Sequence, residues 1–315
     1  MSLGRYVCKR LLVTVPVLVG VTALTFSFVH VLPGDAVDAI VGYRDVAPGT
    51  EASIRAEYRL DRPVWKQYLL WLWDALSLEF GRSPITGRRV AATIGRRLPA
   101  TLALGGAAWL LALAIGVPAG IVAAVRQGEP ADELSRLAAL AGIATPNFWL
   151  GLVLLLVFSV RLGWFRVIPP DAPLVSLAMA KFMILPTLTL GTASAAFVTR
   201  LLRSSMRREL DAAYVRAARA KGLRERTVIL KHVLRNALLP VVTVTGIQLA
   251  FLIDGAVVVE QIFSWPGMGR LLVRSILQRD YPVIQAGVLL IGVTIVLANL
   301  LVDIVYAVLD PRIRY

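Results

Sequence analysis

Six segments of this chain are long and apolar enough to cross the roughly 30 Å hydrocarbon core of a membrane. They occupy residues 11–32, 100–125, 137–160, 182–199, 237–259 and 283–308. Because a segment inside hydrocarbon has to satisfy its own backbone hydrogen bonds, each one is predicted to be a helix. The fourth segment is the shortest and contains Pro186, so its ends are the hardest to place. The pattern predicts an all-α membrane protein with six transmembrane helices.

The composition agrees with a membrane protein and excludes several classes of site. Of the 315 residues, 57% are hydrophobic and only 17% are charged, whereas about a quarter of the residues in a soluble domain are charged. The single cysteine, Cys8, excludes an intramolecular disulfide. With only His30 and His232 as histidines, no metal site is predicted. No small-x-small cleavage site follows the first apolar segment, which is therefore interpreted as an uncleaved span.

The distribution of Lys and Arg predicts the orientation of the chain. With the N-terminus inside, the short cytoplasmic loops and ends hold 18 basic residues and the short outer loops hold 6. The 33–99 segment carries ten more, but it is too long to count strongly in the positive-inside rule. We therefore predict an N-in, C-in topology. The net charge of +14 is interpreted as cytoplasmic loops that face anionic lipid, with no nucleic-acid partner.

The sequence predicts three parts of the chain. They are residues 1–32 (N-terminus and first span), 33–99 (an extracytoplasmic loop) and 100–315 (a core of five spans that includes a basic loop, 200–237). In the outer loop, Trp65, Tyr68, Leu69 and Leu72 recur at helical spacing and predict one apolar face. A helix at the membrane boundary and an ordinary packed helix explain this face equally well.

Catalytic motifs are absent from the sequence. It contains no G-x-x-x-x-G-K-[ST] phosphate loop, no G-x-S-x-G and no H-E-x-x-H, so no catalysis by this chain is predicted. Two polar residues in apolar surroundings, Asn147 and Asp254, are candidates for a transport pathway, because such groups are costly in hydrocarbon. A structural pairing of Asp254 with an arginine of a neighbouring helix explains it equally well. In the second span, Gly105 and Gly106 are predicted to allow close helix packing.

The basic loop between the fourth and fifth spans has internal structure. Residues from Tyr214 to Lys221 are mostly good helix formers, and Gly222 is a suitable stop after them. A second helix is predicted to start near Glu225 and to continue into the fifth span, which contains Pro240.

Several interpretations of this loop stay open on physical grounds. The small side chains of Ala217, Ala218 and Ala220 leave a slim surface that fits a groove of another protein. A basic helix that lies on anionic lipid is an equally good interpretation. The charge is also explained by topology alone. Nucleic-acid binding is disfavoured, because Tyr214 is the only aromatic residue in the loop.

The loop resembles the cytoplasmic signature of ABC-importer permeases, which reads Glu-Ala-Ala, three residues and Gly. Here Arg216 replaces the usual Glu and is followed by Ala217, Ala218 and Gly222. The following H-x-x-R-N-A-L-x-P run resembles the dipeptide/oligopeptide/nickel branch, as do LDRPVWKQYLLWL (60–72), RRLPATLAL (96–104), TPNFWLGLVLL (145–155), RLLRSSM (200–206) and EQIFSWPGMGRLLVRSILQRDYPVIQA (260–286). The resemblance covers nearly the whole chain and is to the first permease subunit, which carries the long outer loop.

The resemblance implies an ABC type I importer permease bundle in a prokaryotic cell membrane. It also implies a coupling helix that docks on an ATPase, formed by Tyr214, Val215, Arg216, Ala217, Ala218, Lys221, Gly222 and Leu223. Support for that loop is assigned to His232, Arg235, Asn236 and Pro240. An outer gate, or a dock for a binding protein, is assigned to Glu260, Phe263, Pro266, Gly267, Gly269 and Asp280.

The resemblance further implies the partners and the cargo. The partners are a second homologous permease, two cytoplasmic ATP-binding subunits and an extracytoplasmic substrate-binding protein. ATP and Mg²⁺ would bind to the ATPase partners, and no cofactor or metal is expected in this chain. Di- or oligopeptides are the expected cargo, with nickel or glycosides as alternatives within the branch. An ion-coupled secondary carrier and a membrane scaffold without transport activity are the alternatives from other classes.

Overall fold

The computed structural model describes residues 3–31, 59 and 61–309, and within them the chain is almost entirely helical. The helices are α1 (Leu3–Val31), α2 (Val64–Leu76), α3 (Val90–Val125), α4 (Pro130–Ala144), α5 (Asn147–Leu154), α6 (Leu177–Leu210), α7 (Ala213–Ala220), α8 (Glu225–Thr227), α9 (Leu234–Ile262), α10 (Met268–Leu277) and α11 (Tyr281–Leu309). Two π-helical segments, π1 (Leu155–Arg161) and π2 (Val228–Val233), continue α5 and connect α8 to α9.

Five helical segments within the described residues are long and apolar enough to span a membrane. They lie in α1, α3, α6, the α8–π2–α9 run and α11. The remaining prediction, one continuous span over 137–160, is wrong, because α4 and the α5–π1 run meet there at an angle of 101°. Thr145 and Pro146 have extended backbone angles at this bend, as expected because proline disfavours helical geometry in the residue before it. Counted as one broken span, this pair brings the number to six.

The chain forms two compact units, of which the first is built mainly from Thr101–Trp265. In this unit α3 packs closely on α6. A Cβ added at Gly116 would lie 2.7 Å from the Val198 Cβ, and one at Gly120 would lie 3.0 Å from the Leu202 Cβ. Small residues allow such close approach between membrane helices. The predicted close packing is not observed at Gly106, since a Cβ there would meet no atom of the described residues within 4 Å.

The second unit contains the described parts of Val7–Ala100 together with Pro266–Leu297. In it, α2 packs on α1 through Tyr68, whose hydroxyl lies 2.8 Å from the Thr22 hydroxyl. The Tyr68 ring meets the Phe26 ring edge-on at 5.4 Å. The apolar face predicted for α2 is therefore divided, because Trp65 and Leu69 remain exposed. The packed interpretation is confirmed for the Tyr68 side, and a role at the membrane boundary stays a prediction for the exposed side.

Candidate functional site

The helix predicted in the basic loop is confirmed as α7, Ala213–Ala220. The turn that follows it contains Gly222, which has a φ of +75°. The backbone N–H of Gly222 donates to the Arg219 carbonyl at 2.9 Å, and that of Leu223 donates to the Ala218 carbonyl at 3.4 Å. This pair of bonds is the Schellman pattern, in which glycine takes the left-handed position at little cost. The turn fixes the direction in which the chain leaves α7.

One face of α7 is buried inside the first unit. Val215 is 0% exposed and Ala218 is 8% exposed. Both pack in an apolar cluster that joins α3, α6, π2 and α9, whose other buried members are Ala124, Val198, Leu202, Met206, Val228, Val233, Ala237 and Val241. Ala218 therefore does not belong to a slim exposed surface, which corrects the sequence-based expectation. Its small side chain instead lets α7 pack closely on its own bundle.

The opposite face of α7 is open. Arg216, Ala217, Ala220 and Lys221 are exposed, and Tyr214 is partly so. Two small side chains flanked by cations give a slim, positively charged ridge. The α7 helix is therefore anchored by apolar contacts on one side and presents a slim basic surface on the other.

Tyr214 ties α7 to the helices on either side of the loop. Its hydroxyl donates to the Glu209 carboxylate at 2.6 Å and accepts from the Asn236 amide at 3.0 Å. Burial, and then the hydrogen bond to Glu209, raise the pKa of the Tyr214 phenol, so it stays a donor at neutral pH. This contact brings Asn236, one of the residues predicted to support the loop, against α7. Glu209 carried no sequence signal that pointed to Tyr214.

The segment that returns from α7 to the membrane is held by a second contact. The Arg219 guanidinium donates twice to the Glu225 carboxylate, at 3.1 and 2.7 Å, across the Gly222 turn. The chain then runs through α8 and π2 into α9, which confirms the predicted return helix. His232 lies in π2, Arg235 is exposed in the first turn of α9, and Pro240 lies inside α9.

A buried ion pair near this loop was missed by sequence reasoning. Asp132, in the first turn of α4, pairs with Arg203 of α6 at 2.6 Å. The Gly128 N–H also donates to the same carboxylate at 3.1 Å. Because the partners are 71 residues apart, no local pattern could reveal the pair. It fastens the α3–α4 loop and α4 to α6, which carries α7 at its end.

Two of the predicted outer-gate residues lie at the end of α9 in the first unit. Glu260 is 0% exposed and accepts a hydrogen bond from the Thr101 hydroxyl at 2.6 Å. Phe263 is buried beside Gly151 of α5, where an added Cβ would lie 3.3 Å from the Phe263 ring. These side chains build the core at this end of the bundle. Whether they form a gate stays a prediction.

The other predicted outer-gate residues belong to the second unit. Gly267 immediately precedes α10, and Gly269 is buried in its first turn. Pro266 is partly buried just before them. Asp280 is buried immediately before α11 and accepts a hydrogen bond from the Ser83 hydroxyl at 2.5 Å. The Ser83–Asp280 contact ties the outer loop to the start of a span.

The two candidate pathway residues lie on different helices. Asn147 is the first residue of α5 and is partly buried. Asp254 lies within α9, but its side chain is outside the described part of the structure. Their assignment to a pathway stays a prediction.

The multi-pass helical bundle matches a known family of membrane proteins over most of its length. Residues 116–315 match the family described as "Binding-protein-dependent transport system inner membrane component", and residues 3–105 match the corresponding N-terminal family. The chain belongs to this family of inner-membrane permeases.

Individual relatives agree with that family over the whole length. The chain is 40% identical over 335 residues to the dipeptide transport system permease protein DppB of Escherichia coli K12, with 99% of each chain covered. It is 45% identical over 311 residues to the glutathione transport system permease protein GsiC of the same strain, again with 99% coverage.

Solved structures show the same fold. A chain of the MetNI methionine ABC transporter, in an inward-facing form, superimposes with a TM-score of 0.57 at 18% identity. The match covers 69% of this chain and 96% of that one. The predicted ABC importer permease bundle is confirmed.

Proposed function

We propose that this chain is the membrane-spanning subunit of an ATP-driven importer for di- or oligopeptides. The observation that carries the proposal is α7, which has one face anchored in its own bundle and a slim, basic face free. The full-length likeness to permeases named for dipeptide and glutathione transport supports a peptide cargo.

The exposed face of α7 is the docking site for a cytoplasmic ATP-binding subunit in this proposal. Val215 and Ala218 would carry the movement of that subunit into the cluster shared by α3, α6 and α9. Tyr214 would carry it to the ends of α6 and α9 through Glu209 and Asn236. ATP binding would favour one arrangement of the bundle, and the population would shift accordingly.

The remaining partners follow from the same assignment. A second homologous permease would complete the pathway, and two ATP-binding subunits would supply the energy. An extracytoplasmic binding protein would deliver the peptide and set the choice of cargo. Asn147, Asp254 and the outer segment from Glu260 to Asp280 are the candidates for contact with cargo or with that protein.

Reconstitution tests this proposal. The chain, with its second permease and ATP-binding subunits, is placed in liposomes, and uptake of a labelled dipeptide is measured with the binding protein outside and ATP inside. We expect uptake that requires ATP and all the partners. Uptake by this chain alone under an ion gradient would instead establish a secondary carrier. Transport of nickel or a glycoside, without any peptide, would overturn the cargo assignment.

A further inference from the structure

An open groove of about 310 Å³ lies between the end of α3 and the segment that returns from α7. Aliphatic side chains form five of its seven lining positions, and arginines form the other two. The lining residues are Ile121, Val122, Val125, Arg126, Arg226, Ile229 and Leu230. The combination of apolar walls with two cations suits an amphiphile that carries negative charge.

One of the two arginines lies at the end of a membrane span, and the other lies in the segment that leads into the next span. Arg126 directly follows α3, which ends at Val125. Arg226 is the second residue of the apolar run Glu225–Gly246. Both positions are on the side predicted to be cytoplasmic, where the anionic lipids of a cell membrane attract basic residues near the spans. In this topology the groove lies on the side of the cytoplasmic leaflet, beside the end of α3.

The charged part and the apolar part of the groove lining are both open. Neither the Arg126 nor the Arg226 guanidinium has an ion pair or hydrogen bond within the described residues, unlike Arg203 and Arg219 nearby. The aliphatic lining is also open, since Val122, Val125 and Leu230 are each more than two-fifths exposed.

We infer that this groove binds an anionic phospholipid of the cytoplasmic leaflet. The two guanidinium groups hold the headgroup phosphate, for which their planar donor sets are well suited. The acyl chains lie along the aliphatic wall. A lipid held this way bridges the end of α3 and the return segment, which is the part of the loop that follows α7 when α7 moves.

Photolabelling of the complete importer tests this site. The complex is placed in phosphatidylcholine nanodiscs that contain a trace of phosphatidylglycerol with a photoactivatable acyl chain. Labelled peptides are then mapped by mass spectrometry. We expect labels within 121–126 and 226–230, and competition by unlabelled phosphatidylglycerol but not by added phosphatidylcholine. The Arg126→Gln/Arg226→Gln variant should lower this labelling by about thirtyfold, from the combined lipid attraction of two basic residues.

A matched pair of substitutions distinguishes lipid binding in the groove from non-specific attraction of anionic lipid to basic residues. Arg224→Gln/Lys231→Gln also removes two positive charges, from the return segment alone and without touching the groove lining, and it should leave the labelling close to that of the parent. A Val122→Trp variant keeps both arginines but fills the groove, and it should also lose the label. Equal loss in the Arg224/Lys231 pair, equal competition by phosphatidylcholine, or no label in the complete complex because a protein subunit covers the groove, would each overturn the proposal.

Discussion

Asp132 and Arg203 form a two-point ion pair that joins α4 to α6. The Arg203 Nε donates to Oδ1 at 2.6 Å, and an Nη donates to Oδ2 at 2.8 Å. The Asp132 side chain is 3% exposed and that of Arg203 is 24% exposed. Charge-assisted forked bonds of this kind fix geometry as well as adding energy. The pair holds α4 against α6, the helix that precedes α7.

Removal of one partner of this pair should be costly. Because Arg203→Ala leaves the Asp132 carboxylate buried without its partner, we expect a loss of about 3 kcal/mol in the free energy of unfolding. Arg136→Ala is the matched control, since its pair with Glu133 on the same helix is exposed, and it should cost less than about 1 kcal/mol. Thermal unfolding in detergent measures both variants, and similar losses would contradict a structural role for the buried pair.

Gly222→Arg should abolish ATP-driven uptake while the protein still inserts in the membrane. A residue with a Cβ is destabilised by about 1–2 kcal/mol in the left-handed conformation of Gly222. The Schellman turn would therefore open, and the direction in which the chain leaves α7 would no longer be fixed. Gly163 is the matched control, because it has a φ of +64° and, like Gly222, no atom of the described residues within 4 Å of an added Cβ. Gly163→Arg should retain most uptake. Normal uptake by the Gly222 variant, or equal loss in both, would remove the special role of the Gly222 turn.

Tyr214→Phe should weaken coupling more than stability. The substitution removes the bonds to Glu209 and Asn236, at a cost of about 1 kcal/mol, but it leaves the ring and the buried face of α7 in place. We expect more ATP hydrolysed for each peptide imported by the reconstituted complex. A double-mutant cycle with Asn236→Ala should show that the two substitutions are not additive. Strict additivity with unchanged stoichiometry would mean that the hydroxyl does not connect these helices functionally.

The free energy of unfolding should depend on pH through the Asp280 carboxyl. Burial is the main cause that raises its pKa above the ordinary 3.8, and the bonds from Ser83 and the Val283 backbone oppose that rise. Since the folded pKa is higher than the unfolded one, the folded state takes up the proton first. The free energy of unfolding therefore rises as the pH falls from neutral through the folded pKa towards the unfolded value.

The Asp280→Asn variant isolates this effect. The wild type should gain thermal stability relative to the variant between pH 7 and about pH 4, the region of the ordinary aspartate pKa. Asp171→Asn is the control, because Asp171 is exposed, and it should show a much smaller relative change. If the thermal stability of the wild type relative to the variant falls or stays constant on acidification, burial does not raise the pKa of the Asp280 carboxyl.

Local features were predictable from the sequence, and contacts between distant residues were not. The α7 helix and its stop at Gly222 follow from propensity and from the special conformation of glycine, both of which act over a few residues. The bend at Pro146 has a local cause too, but the apolar run through it masked the break, since hydropathy records composition and not backbone direction. The exposed face of α7 depended on which helices pack beneath it, and so Ala218 was placed on the wrong side.

The side-chain contacts of the site could be identified only from the three-dimensional structure. Nothing near Asp132 in the sequence indicates Arg203, and nothing near Tyr214 indicates that Asn236 would reach its hydroxyl. The groove beside Arg126 also depends on two segments brought together by folding. Pairings of this kind are set by helix packing, which one sequence does not reveal.

Cross-linking from α7 tests the central claim most directly. A photoreactive amino acid is placed at Ala217, on the exposed face of α7, in the importer assembled with its ATP-binding subunits. Leu177 is the control position, because it is 87% exposed at the start of α6, on the side predicted to be outside. We predict an adduct with the ATP-binding subunit from position 217, with a yield that changes on addition of ATP, and none from position 177. Intact uptake without any such adduct from position 217 would contradict the account.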